Sequence, residues 1–163
     1  MNTNSNADAA RQAHGLLTAG MLLFLAGLLT GAIVPAFANC RMGLTAHLAG
    51  VQDAMFLLIL GTIWPRIAMT FRRSRAAWAL NVSGMYGIWL SLVLAAVLGT
   101  SRATPIAGAG FQASAAEEAI VQALIGLSSA AAMAGAATLV HSLWQTRLAI
   151  PDQPEPIHQE KRT

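Results

Sequence analysis

Residues 15–37 read GLLTAGMLLFLAGLLTGAIVPAF, twenty-three positions with no charged side chain. An α-helix needs about 20 apolar residues to cross the ~30 Å hydrocarbon layer of a bilayer, so this stretch is long enough to span one. Three more runs of the same kind follow, at about 43–65, 77–99 and 118–145. Backbone polar groups in lipid must be satisfied within the segment or in a closed barrel, and these runs are too long and too evenly apolar for alternating barrel strands. The expected fold is therefore all-α, an integral membrane four-helix bundle.

Composition agrees. Of 163 residues, 55% are apolar and 10% charged, against about 25% charged in an average soluble domain. The formal charge of +3 is spread among hydrophobic blocks rather than gathered with aromatics on one face, which gives nucleic-acid binding no footprint. A single cysteine, Cys40, excludes an intrachain disulfide and a cysteine-built zinc or iron–sulfur centre within one chain. The first apolar run exceeds the ~7–15-residue core of a signal peptide, so it reads as a retained span.

Basic residues set the orientation. Arg11, Arg66, Arg72, Arg73, Arg75, Arg147, Lys161 and Arg162 fall on one side of the four spans, and Arg41 and Arg102 on the other. Because positively charged loops stay cytoplasmic, both termini are expected there, in a bacterial inner membrane. The expected organisation is a cytoplasmic tail over 1–14, a four-span domain over 15–146 and a disordered tail over 147–163, where Pro151, Pro154 and Pro156 stand among charges. Small residues that let helices approach in lipid recur in the first span as Gly20, Gly27 and Gly31, and in the fourth as Gly126, Ala130 and Ala134.

Polar side chains inside the spans are costly and point to function. Asp53 falls about ten residues into the second span, roughly 15 Å deep. A carboxylate at that depth must face the interior with a partner or carry its proton. His47 lies one turn inside the outer end of the same helix, and His47, Gly50 and Asp53, spaced by three, form a slanted stripe. A histidine, a residue without a side chain and then a polar group offer a surface on which a flat cofactor such as a haem would lie, ligated through His47. The third span adds Asn81, Ser83 and Tyr86; Tyr86 is the only tyrosine and lies mid-span. Asp53 and Tyr86 reach similar depth from opposite ends of antiparallel neighbours. His141 sits toward the inner end of the fourth span, and His14 and His158 lie outside the spans. Trp64, Trp78 and Trp144 stand at span ends as interfacial anchors.

The segment from His14 through Leu29 into Asn39-Cys40-Arg41-Met42-Gly43-Leu44-Thr45-Ala46-His47-Leu48-Ala49-Gly50 resembles the bacterial hydroxylaminobenzene mutase family, most strongly over residues 14–65. The family pattern is an Asn-Pro-Arg-Met-Gly-Leu turn, then Ala-His-Leu-Glu-Gly and an Asn six residues after the histidine. This chain departs from it at Cys40 in place of Pro, Ala49 in place of Glu and Asp53 in place of Asn. That family is in turn similar to the styrene oxide isomerases, four-span trimers that bind haem b between subunits through a histidine. The resemblance implies that His47 is the axial ligand to haem iron, with Gly50 and Arg41 as further cofactor contacts. It implies that Asp53 and Tyr86, with Asn81, act on a small aromatic substrate. The implied reaction turns an aryl hydroxylamine into an ortho-aminophenol by an internal hydroxyl shift, and the implied assembly is a homo-oligomer, a trimer by likeness to the styrene oxide isomerases.

Two other readings fit the residues. A membrane b-type cytochrome subunit would need a second axial ligand at the depth of His47, for which Met85 or a neighbouring subunit is available. A cofactor-free binding or transport module would rest on Asp53 alone.

Overall fold

A computed structural model describes residues 3–148. Four long helices account for nearly all of it: α1 (Thr3–Ala32), α2 (Cys40–Ile63), α3 (Phe71–Leu98) and α4 (Ala115–Leu148). Among the described residues there is no strand. All four helices are long and apolar enough to cross a membrane.

The helix limits differ from the expected spans for local reasons. The polar residues from Thr3 onward continue α1 rather than forming a separate tail; Asp8 and Arg11 pair one turn apart on its surface at 2.6 Å. At its other end α1 stops at Ala32: Pro35 has no N–H to continue the i→i−4 ladder, and Val34–Ala36 form a 3-10 turn instead. Asn39 caps α2, its side-chain oxygen accepting from the Met42 amide at 3.1 Å, which satisfies one of the free amides of the first turn. Trp64-Pro65 ends α2 in a second 3-10 turn. The arginines at 72, 73 and 75 fall inside α3, and Gly99 closes that helix with φ +67, a conformation in which a Cβ is strained. Ser114 and Glu117 form a reciprocal box at the start of α4, with Ser114 N–H to Glu117 Oε2 at 2.9 Å and Glu117 N–H to Ser114 Oγ at 3.3 Å. Of the segment expected to be a tail, residues 147 and 148 belong to α4 and 149–163 lie outside the described residues.

The helices do not close into a symmetric bundle. Among the described residues α1 packs along α2, α2 along α3, and α3 touches α1, while α4 packs along α3. One core gathers Leu16, Leu23, Leu57 and Trp64 among α1, α2 and α3. A second, toward the outer end, joins Met42 and Ala46 to Leu92, Ala95, Ala96 and Val121. α4 sits close to α3 because glycines face it. A Cβ on Gly84 would be 2.7 Å from the Ala132 nitrogen, and one on Gly87 would be 2.1 Å from Ser128 Oγ. Most of α4 is left exposed, including Leu127, Met133 and Val140.

The connection from Gly99 to Ser114 folds back over the start of α2. Asn39 donates to the Ala107 carbonyl at 2.9 Å while its own N–H reaches the Ala96 carbonyl at 3.0 Å, and Arg41 donates to the Ala109 carbonyl. Glu118 holds the other side, accepting from the Ser101 and Arg102 amides at 2.9 Å each. Fully buried Asn39 thus serves as cap and as loop anchor. Asn39→Ala should remove both functions and lower stability by about 2 kcal/mol, read as a fall in melting temperature of detergent-purified protein.

Candidate functional site

The site is built where α1 and α2 come closest. A Cβ on Gly27 would stand 3.0 Å from both the Gly50 carbonyl carbon and the Val51 nitrogen, so the two backbones meet with no side chain between them. That closeness brings the Gly27 carbonyl within 2.8 Å of His47 Nδ1. A carbonyl only accepts, so the proton belongs on Nδ1 and the lone pair on Nε2. Gly31, one turn further along α1, makes room for the ring: a Cβ there would be 2.6 Å from Nδ1. The two glycines read in the sequence as a packing motif are therefore also the seat of the histidine.

His47 opens onto a groove of about 710 Å³ on the outward face of the α1–α2 pair. Leu28, Gly31 and Ala32 form its α1 wall, Val34 and Pro35 its end, and Cys40, Arg41 and Leu44 its α2 wall. The lining is mostly aliphatic, and Arg41 supplies the charge at the rim. Cys40 is exposed and unoxidised. Among the described residues no three His, Cys, Asp or Glu side chains gather as a metal site. An imidazole whose Nδ1 is held by a backbone carbonyl, on a residue that lines a mostly apolar groove, is compatible with ligation through its other nitrogen. His47 is the residue here that would hold a haem.

The other candidates do not share that groove. Gly50 is closed over: a Cβ on it would be 2.6 Å from Trp89 Cδ1 and 3.0 Å from Gly27 Cα. The expected flat surface running from His47 across Gly50 to Asp53 is therefore filled by an indole within the chain. Asn81 is fully buried on the opposite side of α3, donating to the Ala77 carbonyl at 2.7 Å. Its amide lies where a Cβ on Gly135 of α4 would go, which makes it part of the α3–α4 seam. Tyr86 faces the α1–α2 core and donates to the Ala19 carbonyl at 2.8 Å. Asp53 has one carboxyl oxygen, Oδ2, buried with no partner. It shares a face of α2 with Ala46 and Leu60. His14 and His141 are exposed and do not line the groove.

A family model described as styrene oxide isomerase matches residues 12–144, a stretch that takes in all four helices. The chain belongs to the styrene oxide isomerase family. It is 42% identical over 130 residues to hydroxylaminobenzene mutase HabB of Ectopseudomonas oleovorans, covering 78% of this chain and 79% of that protein. It is 35% identical over 111 residues to hydroxylaminobenzene mutase HabA of the same organism, covering 68% and 82%. No solved structure matches the chain. With such relatives it is an enzyme, an isomerase of the mutase type.

Two residues of this family member escape a reading by motif. Trp89 is the one tryptophan in mid-span, and its indole plugs the junction of α1, α2 and α3 over Gly50. Thr30 aims it: the Trp89 N–H donates to Thr30 Oγ1 at 3.3 Å, while that hydroxyl donates to the Ala26 carbonyl at 2.8 Å. Depth was the available signal, since Trp64, Trp78 and Trp144 lie at helix ends and Trp89 does not. The seat of His47 can be tested by contrast. Gly31→Ala should push the imidazole off the Gly27 carbonyl and cost about 1–3 kcal/mol. Gly126→Ala, where a Cβ meets nothing within 4 Å, should be neutral or slightly stabilising. Paired melting curves in detergent check both.

Proposed function

We propose that the protein is a membrane-bound aryl hydroxylamine mutase, converting substrates such as hydroxylaminobenzene to ortho-aminophenols, with ferric haem b held through His47. The observation that carries this reading is the 2.8 Å contact of His47 Nδ1 with the Gly27 carbonyl, beside Gly31, in a chain 42% identical to a hydroxylaminobenzene mutase. In the same reading both termini face the cytoplasm of a bacterial inner membrane, and the outward groove is covered by further copies in a homo-oligomer, a trimer by the family resemblance. An aromatic substrate that partitions into lipid reaches such a groove without crossing water.

Atoms balance without a cosubstrate. The N–O bond of the hydroxylamine breaks, the oxygen forms a bond to the ortho carbon, that carbon loses its proton, and the nitrogen regains one. Ferric haem, when bound, supplies Lewis acidity toward the hydroxylamine oxygen. The chain does the rest. His47 would hold the cofactor through Nε2, with Arg41 at the rim. The aliphatic walls keep bulk water from capturing the cationic ring fragment at another position. Tyr86 has committed its proton to the Ala19 carbonyl, and Trp89 stands over Gly50 between His47 and Asp53, so Asp53 would donate a hydrogen bond only to a substrate that displaces that indole.

Purified protein supplied with haem should show a Soret band that His47→Ala abolishes. Absence of that band in well-folded native protein overturns the cofactor assignment, and absence of ortho-aminophenol from hydroxylaminobenzene overturns the reaction. Asp53 is tested separately. A neutral carboxyl and the Asn of the family pattern can both donate a hydrogen bond, so Asp53→Asn should keep most of the turnover. Asp53→Ala should lose about a hundredfold while raising the melting temperature, because it removes an unpartnered buried oxygen.

A further inference from the structure

At the end of the molecule opposite the His47 groove, the starts of α1 and α3 enclose a cleft of about 650 Å³. Two arginines line it from helices far apart in sequence, Arg11 on α1 and Arg75 on α3. The Arg75 guanidinium lies 5.5 Å from the centre of the Phe71 ring and pairs with no carboxylate among the described residues. A guanidinium that lies over a ring and pairs with no carboxylate has N–H donors to offer phosphate oxygens. Arg66, Arg72 and Arg73 stand at the same end. The acid opposing these five arginines among the described residues is Asp8, which also lines the cleft and holds Arg11 at 2.6 Å.

Below the arginines the cleft turns apolar. Trp78 forms the wall, its N–H donating to the Gln12 carbonyl at 3.2 Å, so the ring is fixed and presents no free donor. Ala76 and Ala79 leave the opening shallow and exposed. Positive charge at the helix ends above small apolar residues on membrane-spanning helices is the profile of an amphiphile's site rather than that of a free phosphate.

We propose that this cleft binds an anionic phospholipid, its phosphate between Arg75 and Arg11 and an acyl chain along Trp78, Ala76 and Ala79. The assignment requires only that the four helices cross a membrane with this end at the cytoplasmic surface; it is independent of haem and of the hydroxyl shift. Asp8 competes with the phosphate for Arg11 and sets Arg75 as the stronger contact.

The test is native mass spectrometry of the full-length protein in detergent, titrated with dioleoyl phosphatidylglycerol, dioleoyl phosphatidylcholine or glycerol 3-phosphate. Phosphatidylglycerol should be retained at least fivefold more tightly than phosphatidylcholine. Arg75→Gln should weaken it about fivefold, and the double Arg11→Gln, Arg75→Gln variant more, at about fivefold per arginine near a membrane surface. Arg102→Gln, at the other end of the molecule, should change nothing. Ala79→Trp, which fills the apolar half and keeps both arginines, should also weaken phosphatidylglycerol; if it does not fold, the arginine variants decide alone. Equal retention of the two lipids, an undiminished double variant, or glycerol 3-phosphate competing as well as the lipid would each overturn the proposal.

Discussion

Everything near the candidate site depends on the contact of two bare helix backbones at Gly27 and Gly50. Lipid provides no hydrophobic drive for helix association, so α1 and α2 must gain their attraction from close packing, which requires that neither carry a side chain at the crossing. The same closeness delivers the Gly27 carbonyl to His47 at 2.8 Å and leaves Trp89 to fill the remaining corner. Packing and ligand orientation are thus one constraint. A larger residue at position 27 or 50 would part the helices and free the imidazole together.

This explains what could be read from the sequence and what could not. The spans were legible because hydrophobic length is a one-dimensional property, and each has its helix. Helix ends followed from local chemistry at Pro35, Asn39, Pro65 and Gly99, and moved the limits by several residues. Facing is harder, because it depends on rotation about each helix axis. Asn81 and Tyr86 are five residues apart, about 140° around a helix, so both could not point at one site. Tyr86 takes the α1 side and Asn81 the α4 side. The stripe of His47, Gly50 and Asp53 was sound as helix geometry, but no periodicity announces that an indole from another helix will cover its middle.

The attachment of α4 is asymmetric for a related reason. Small residues on α3, chiefly Gly84 and Gly87, admit α4 on one side only, and polar contacts hold its two ends. Glu118 clamps the Ser101 and Arg102 amides at one, and Arg73 reaches Gln145 at 3.4 Å at the other. α1 and α2 are left free of it along their full outward face, which is where the His47 groove opens. Had α4 closed the bundle, that groove would have been a packed core.

Two buried oxygens lack partners among the described residues, Asp53 Oδ2 and Asn81 Oδ1, and they differ in what the fold explains. Asn81 donates to the turn before it and fills the space opposite Gly135, so its amide has a place in the seam even with one lone pair idle. An unsatisfied buried acceptor of that kind costs about 1–3 kcal/mol and is repaid by packing. Asp53 makes no such seam. Its carboxyl caps nothing and bridges nothing, and an apolar residue of similar size would stabilise the same position. Asn81 is thus part of the α3–α4 seam, and Asp53 is part of no seam among the described residues.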